Sequence, residues 1–240
     1  MPEPILEICV DDAAGLAAAI SGGADRIELC SSLALGGLTP TPGLMALAAT
    51  SPIPVYAMIR PRAGDFVFSQ EDVATMQTDI DAARSAGLSG VVLGATHPDG
   101  RLDTAILERL VTRASGLGLT LHRAFDLAPD FPAAIDTAID LGFKRILTSG
   151  GAPRAIDGRD ALRTIIAHAA GRIAIMAGSG VTADNAEIFL ALGLTDLHAS
   201  ASRPIETPTG RAADLGYVAP GMKRTDVELV AALKRAMTVA

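Results

Sequence analysis

Short runs rich in Ile, Val and Leu recur about every 25 to 30 residues along the chain, and an Ala-rich amphipathic stretch separates each pair. Eight such runs can be read, at residues 5–10, 26–30, 55–60, 90–95, 120–125, 145–149, 173–177 and 196–201. An alternation of this kind specifies parallel strands joined by crossover helices. Eight units in 240 residues predict an α/β fold, a (β/α)8 TIM barrel that occupies one domain over residues 1–240. A doubly wound open sheet shares the alternation, but the GxGxxG fingerprint is missing after the first run.

The punctuation agrees with this rhythm. Glycines stand at the expected helix-to-strand returns, at Gly22-Gly23, Gly87, Gly116, Gly142, Gly171 and Gly193, where a left-handed helix cap fits. Ser69 with Asp72, and Thr225 with Glu228, have the spacing of capping boxes that start helices. The returns are short, whereas three strand-to-helix connections, 31–41, 61–68 and 202–222, are long. In a barrel all three emerge on the C-terminal face, where binding loops are built. A subunit contact is the other reading of the last one.

Composition narrows the possible partners. A formal charge of −7, a pI near 5.0, no Trp and 3% aromatic residues exclude the basic, stacking surface that nucleic acid requires. Mean hydropathy is high at +0.36, but it comes from scattered Ala, Leu and Ile, with no apolar stretch long enough to span a bilayer. Met1-Pro2-Glu3-Pro4 lacks the basic and apolar regions of an export signal, so a cytoplasmic location is expected. Two cysteines in such a chain are core thiols, metal ligands or reactive groups.

Side chains alternate between the faces of a strand, and a polar group pointing into a barrel is costly unless it is satisfied or used. Nearly every run carries one near its C-terminal end. Glu7 and Cys9 share a face of the first run, and Arg26, Glu28 and Cys30 share one of the second. Met58, Arg60 and Arg62 follow at one parity on the third. His122, Arg123 and Asp126 close the fifth, Thr148 and Ser149 the sixth, and His198 and Ser200 the eighth.

From this set Glu7, Glu28, His122, Asp126 and His198 are candidates for proton transfer. Arg60, Arg62 and Arg123 are candidates for clamping an anion. The seventh run leads through Gly178-Ser179-Gly180 into a helical pattern, so the Gly178 and Gly180 N–H groups could assist the same anion. A tight turn without a ligand fits those glycines too, and polar ties closing the barrel mouth fit the whole set. Only Lys144, Lys223 and Lys234 are present, none at the C-terminal end of a run, which disfavours a Schiff base. No HExxH, CxxC or G-x-S-x-G motif occurs, and no organic cofactor is indicated.

Cys9, Cys30 and Met58 fall on three consecutive runs, and neighbouring parallel strands lie about 4.8 Å apart. Thiolate and thioether donors favour Cu(I). Packing as small hydrophobes is the other reading of the two cysteines.

Leu6-Glu7-Ile8-Cys9-Val10-Asp11 and Gly22-Gly23-Ala24-Asp25-Arg26-Ile27-Glu28-Leu29-Cys30-Ser31 resemble the opening of the CutC family. The likeness continues in order through Met58-Ile59-Arg60-Pro61-Arg62 with Gly64-Asp65-Phe66, then His122-Arg123-Ala124-Phe125-Asp126, Leu147-Thr148-Ser149-Gly150 and His198-Ala199-Ser200-Ala201. It covers about residues 5 to 205. The resemblance implies a (β/α)8 barrel, a cytoplasmic homo-oligomer (dimer or tetramer), a role in copper homeostasis and a site at the polar mouth. It also implies that Cys9 and Cys30 are the copper ligands. The chain departs from the pattern at Gly178-Ser179-Gly180, and at Ala199, where some relatives carry cysteine.

Two functional readings follow. One is copper handling, with Cys9 and Cys30 as thiolates and Met58 or His122 completing a Cu(I) site. The other is a barrel enzyme acting on a small anionic or phosphorylated substrate held by the arginines.

Overall fold

A computed structural model describes residues 3–206, 208–219 and 221–238. Eight parallel strands close into a barrel in chain order: β1 Ile5–Val10, β2 Arg26–Leu29, β3 Val55–Met58, β4 Gly90–Leu93, β5 Gly118–Leu121, β6 Arg145–Thr148, β7 Ala174–Ala177 and β8 Asp196–Ala199, with β8 pairing back onto β1. The helices α1 Ala13–Ser21, α2 Pro42–Ala48, α3 Gln70–Ser85, α4 Thr104–Arg113, α5 Phe131–Asp140, α6 Arg159–Ala169 and α7 Ala186–Ala191 connect successive strands, and α9 Val227–Thr238 follows β8. The predicted (β/α)8 TIM barrel is therefore the fold.

Helix starts follow the chemistry of their first residues. Asp12, Thr41, Asp103 and Asp130 cap α1, α2, α4 and α5 by accepting a backbone N–H. Ser69 and Asp72 form the reciprocal box expected at α3. The box expected from Thr225 and Glu228 is not used. Asp226 Oδ1 accepts from the N–H groups of Glu228 and Leu229 at 3.0 and 3.1 Å, while the Thr225 hydroxyl donates to Ser200 O at 3.2 Å. A carboxylate one residue later outcompetes the hydroxyl for these N–H groups.

Six of the eight strands end one to four residues before the runs read from the sequence, and for two of them the cause is a local bond. β5 stops at Leu121 because His122 turns the chain: its Nδ1 accepts the Ala124 N–H at 3.1 Å and starts a 3-10 turn over Arg123–Leu127. β3 stops at Met58, and Arg60 bonds instead to the loop after β2. Segment 202–222 is not wholly irregular. Its first residues form β9 Ser202–Pro204, antiparallel to β10 Lys223–Thr225, and it contains the short helix α8 Arg211–Asp214. Thr207 and Pro220 of that segment, like Met1 and Pro2, lie outside the described residues.

Strand alternation divides the buried side chains into two sets. Leu6, Ile8, Ile27, Leu29, Val91, Leu93, Leu121, Ile146 and Leu197 face the helices and form the main apolar core. The barrel interior holds a small apolar cluster of Cys30, Met58 and Val92, against which Leu33 and Tyr56 pack. Glu7, Arg26, Glu28, Asp196 and His198 are buried in the same interior, together with Met176, whose Sδ accepts from Arg26 Nη2 at 3.3 Å. Tyr56 crosses this interior over two glycines: a Cβ on Gly90 or on Gly118 would stand 2.2 Å from a Tyr56 side-chain atom. A bare backbone on β4 and β5 is what admits the ring.

Candidate functional site

The floor of the barrel is a buried ion network. Register places Glu7 of β1 beside Arg26 of β2 and His198 of β8. Arg26 donates through Nε to Glu7 Oε2 and through Nη2 to Asp196 Oδ2, the latter at 2.8 Å. The guanidinium groups of Arg26 and Arg145 lie 5.8 and 4.8 Å from the Tyr56 ring centroid. Burial raises the Glu7 carboxyl, but the charge of Arg26 and the hydrogen bond to His198 prevail and hold it down to about 2. Asp196 and Arg145 were not anticipated as members. Asp196 shares the parity of His198, and that periodicity would have found it.

Above the floor, three strands converge on one cluster. His198 Nδ1 bonds Glu7 Oε1 at 2.8 Å, which turns Nε2 towards Glu28 Oε2 at 3.7 Å. Cys9 Sγ, a Glu28 oxygen and a His198 ring nitrogen all lie within 4.8 Å of one another, and all three residues are buried. Cys9 donates to Ala199 O and Cys30 to Glu28 Oε2, each at 3.6 Å. Burial and the nearby charge of Glu7 push the Glu28 carboxyl up, against the pull of His198. Burial would lower His198, yet the charge of Glu28 outweighs it and raises the imidazole well above its ordinary range. Burial and Glu28 together raise the Cys30 thiol. Both cysteines are free.

The predicted metal set is divided between two neighbouring groups. Cys9 joins Glu28 and His198, whereas Cys30, although next to Glu28, packs with Met58 and Val92 in the apolar cluster. Met58 packs against Cys30 in that cluster.

The arginines expected to clamp an anion also bond the protein's own groups. Arg60 Nη1 donates to Leu35 O and Gly37 O at 3.0 and 3.1 Å, and Nη2 to Gly64 O at 2.8 Å. Arg62 pairs with Asp65 at 3.0 Å and Asp72 at 3.1 Å. Arg123 pairs with Asp126 at 2.8 Å and bonds Ser149 Oγ at 2.6 Å. Asp126 also accepts from Thr148 Oγ1 and from the N–H groups of Ser149 and Gly151, so it is a hub tying β6 to the turn after β5. The Gly178 N–H donates to Thr148 O at 3.0 Å, and the Gly180 carbonyl accepts from Asn185 Nδ2 at 2.9 Å. These residues join the loops at the barrel mouth.

His122 is buried beside Phe66, with ring centroids 4.8 Å apart. Burial, reinforced by the charge of Arg60, lowers its imidazole to about 3, so it is neutral at physiological pH. Among the described residues no helix is long and apolar enough to cross a membrane.

Comparison with known proteins gives a consistent picture. Residues 4–203 match the model of the CutC family. A CutC family protein of Rhizobium meliloti (strain 1021) is 56% identical over 230 residues, which cover 95% of this chain and 94% of that protein. The solved structure of a Streptococcus agalactiae CutC, a protein named for copper homeostasis, superposes with a TM-score of 0.79 at 33% identity, covering 82% of this chain and 98% of that one. Thiamine phosphate pyrophosphorylase from Pyrococcus furiosus, at 16% identity and a TM-score of 0.61 over 98% of this chain and 96% of its own, shares the fold alone.

Proposed function

The chain belongs to the CutC family, and on that premise we propose that it binds one copper ion at the centre of its barrel mouth. The observation that carries this reading is the convergence of Cys9, Glu28 and His198 within 4.8 Å of one another, on three different strands. A thiol and an imidazole are donors that suit Cu(I), and the hard carboxylate of Glu28 is the least suited of the three. The sulfur and nitrogen pair of Cys9 and His198 is therefore the copper-binding couple.

The residues around this couple have separate tasks. Glu7 bonds the far nitrogen of His198 and orients the ring, the relation commonly seen between a carboxylate and a metal-binding histidine. Arg26 and Asp196 in turn fix Glu7. Glu28 faces both Cys9 Sγ and His198 Nε2, so it stands where it can accept a proton from the thiol or from the imidazolium, each of which must be deprotonated to hold a metal. Copper is cargo in this reading, consistent with the homeostasis name carried by the Streptococcus agalactiae relative.

We place this activity in the cytoplasm, where reducing conditions keep two buried thiols unpaired. We also propose a homo-oligomer, with Leu215 and Tyr217, 59% and 82% exposed, as candidates for the contact.

The test is an anaerobic Cu(I) competition titration of the reduced protein, run beside Cys9→Ser, His198→Gln and Cys30→Ser. Stoichiometric binding that is lost in the first two variants and kept in the third supports the assignment. Binding that survives both Cys9→Ser and His198→Gln, or no competition by the wild type, refutes it.

A further inference from the structure

Three buried polar atoms at the mouth have no partner among the described residues: Glu28 Oε1, Arg60 Nε and His122 Nε2. A buried donor left without a partner is costly, so two of them on residues that pack against one ring call for a functional reason. The parent residues of the two donors, Arg60 and His122, are 6% and 3% exposed.

Their orientation is fixed by bonds made elsewhere. His122 Nδ1 accepts the Ala124 N–H, so the single proton of the neutral ring sits on Nε2, which becomes a donor. Arg60 donates from Nη1 to the carbonyls of Leu35 and Gly37 and from Nη2 to that of Gly64, and Nε is its one nitrogen with no partner among the described residues. Both groups flank one ring: the Arg60 guanidinium carbon lies 5.0 Å from the Phe66 centroid and the His122 ring 4.8 Å. Arg60 is also close enough for its charge to disfavour protonation of His122.

We propose that Arg60 Nε–H and His122 Nε2–H form a subsite for the oxygen of a small carboxylate, at the wall of the barrel mouth beside Phe66. One fixed cation, one neutral donor and an aromatic flank match a monoanion with a short apolar body. A phosphate dianion would call on further cations, and the neighbouring Arg62 and Arg123 are engaged by Asp65, Asp72 and Asp126. Through its three carbonyl bonds Arg60 ties the loop after β2 to the loop after β3. The assignment is independent of the copper site.

The experiment uses metal-free protein labelled with 15N-histidine and reads the His122 Nε2–H resonance while formate, acetate or inorganic phosphate is added at constant ionic strength. A shift that saturates with formate and acetate, leaves the His97 and His168 signals in place, and needs about tenfold more ligand in Arg60→Lys supports the subsite. No saturable shift, an equal shift with chloride alone, tighter saturation by phosphate, or an unchanged midpoint in Arg60→Lys overturns it. If Arg60→Lys does not fold, His122→Gln replaces it, read by the rise in melting temperature that acetate produces. Loss of that rise in the variant supports the subsite, and an equal rise overturns it.

Discussion

Replacing Glu7 with Gln keeps the size of the side chain and removes one charge from the floor of the barrel. The variant leaves Arg26 with Asp196 as its only carboxylate partner among the described residues, and it weakens the tie on His198. A carboxyl held at about 2 rather than 4.5 corresponds to about 3 kcal/mol in favour of the folded state at neutral pH. Breaking one side of a buried ion pair costs about 3–5 kcal/mol, an independent figure of the same size. Because the folded-state value is depressed, this stability is fully present above the ordinary pKa of 4.5 and is lost as pH falls through about 2. Urea unfolding of wild type and Glu7→Gln at neutral pH is expected to give unfolding free energies separated by about 3 kcal/mol. The separation should shrink by about 1.4 kcal/mol for each pH unit below 4.5. A separation under about 1 kcal/mol at neutral pH, or one that does not change with acidity, would refute the ion network as a source of stability.

Three further outcomes follow from the same coordinates. His122 is neutral when folded, at about 3 against an ordinary 6.5, so its unfolded form takes up a proton first as pH falls. Wild-type stability should therefore drop by about 1.4 kcal/mol per pH unit between those values relative to His122→Asn, and parallel pH profiles would contradict its burial as a neutral ring. Gly90→Ala drives a methyl group into Tyr56 and should cost about 1–3 kcal/mol by urea unfolding, with partial relief in a Tyr56→Leu background. Asp226→Ala removes the cap of α9 and should cost about 1 kcal/mol in thermal melts, a loss that would be absent if Thr225 were the cap.

The fold was legible because the barrel repeats one local rule. Apolar runs at residue spacings that fit βα units, closed by glycine returns, specify parallel strands around a ring, and the closure of β8 on β1 follows from their number. Parity within those runs also identified Glu7, Cys9, Glu28 and His198 as inward-facing, and these are the residues that meet at the centre. What parity cannot give is which inward groups satisfy one another. Arg60, Arg62 and Arg123 looked like free cations because their partners, the carbonyls of Leu35, Gly37 and Gly64 and the carboxylates of Asp65, Asp72 and Asp126, lie on loops whose paths no periodicity encodes. Met58 was grouped with the thiols by strand adjacency, yet its packing against Cys30 and Val92 depends on side-chain direction across the ring.

The central claim is that copper is held by the sulfur of Cys9 and a nitrogen of His198. X-ray absorption at the copper edge of the Cu(I)-loaded protein tests it most directly, compared with the same spectrum of Cys30→Ser. The account predicts one sulfur and one nitrogen donor in both proteins, with Glu28 at most a weak further contact. A spectrum of two sulfur donors and no nitrogen, reduced to one sulfur in Cys30→Ser, would contradict it.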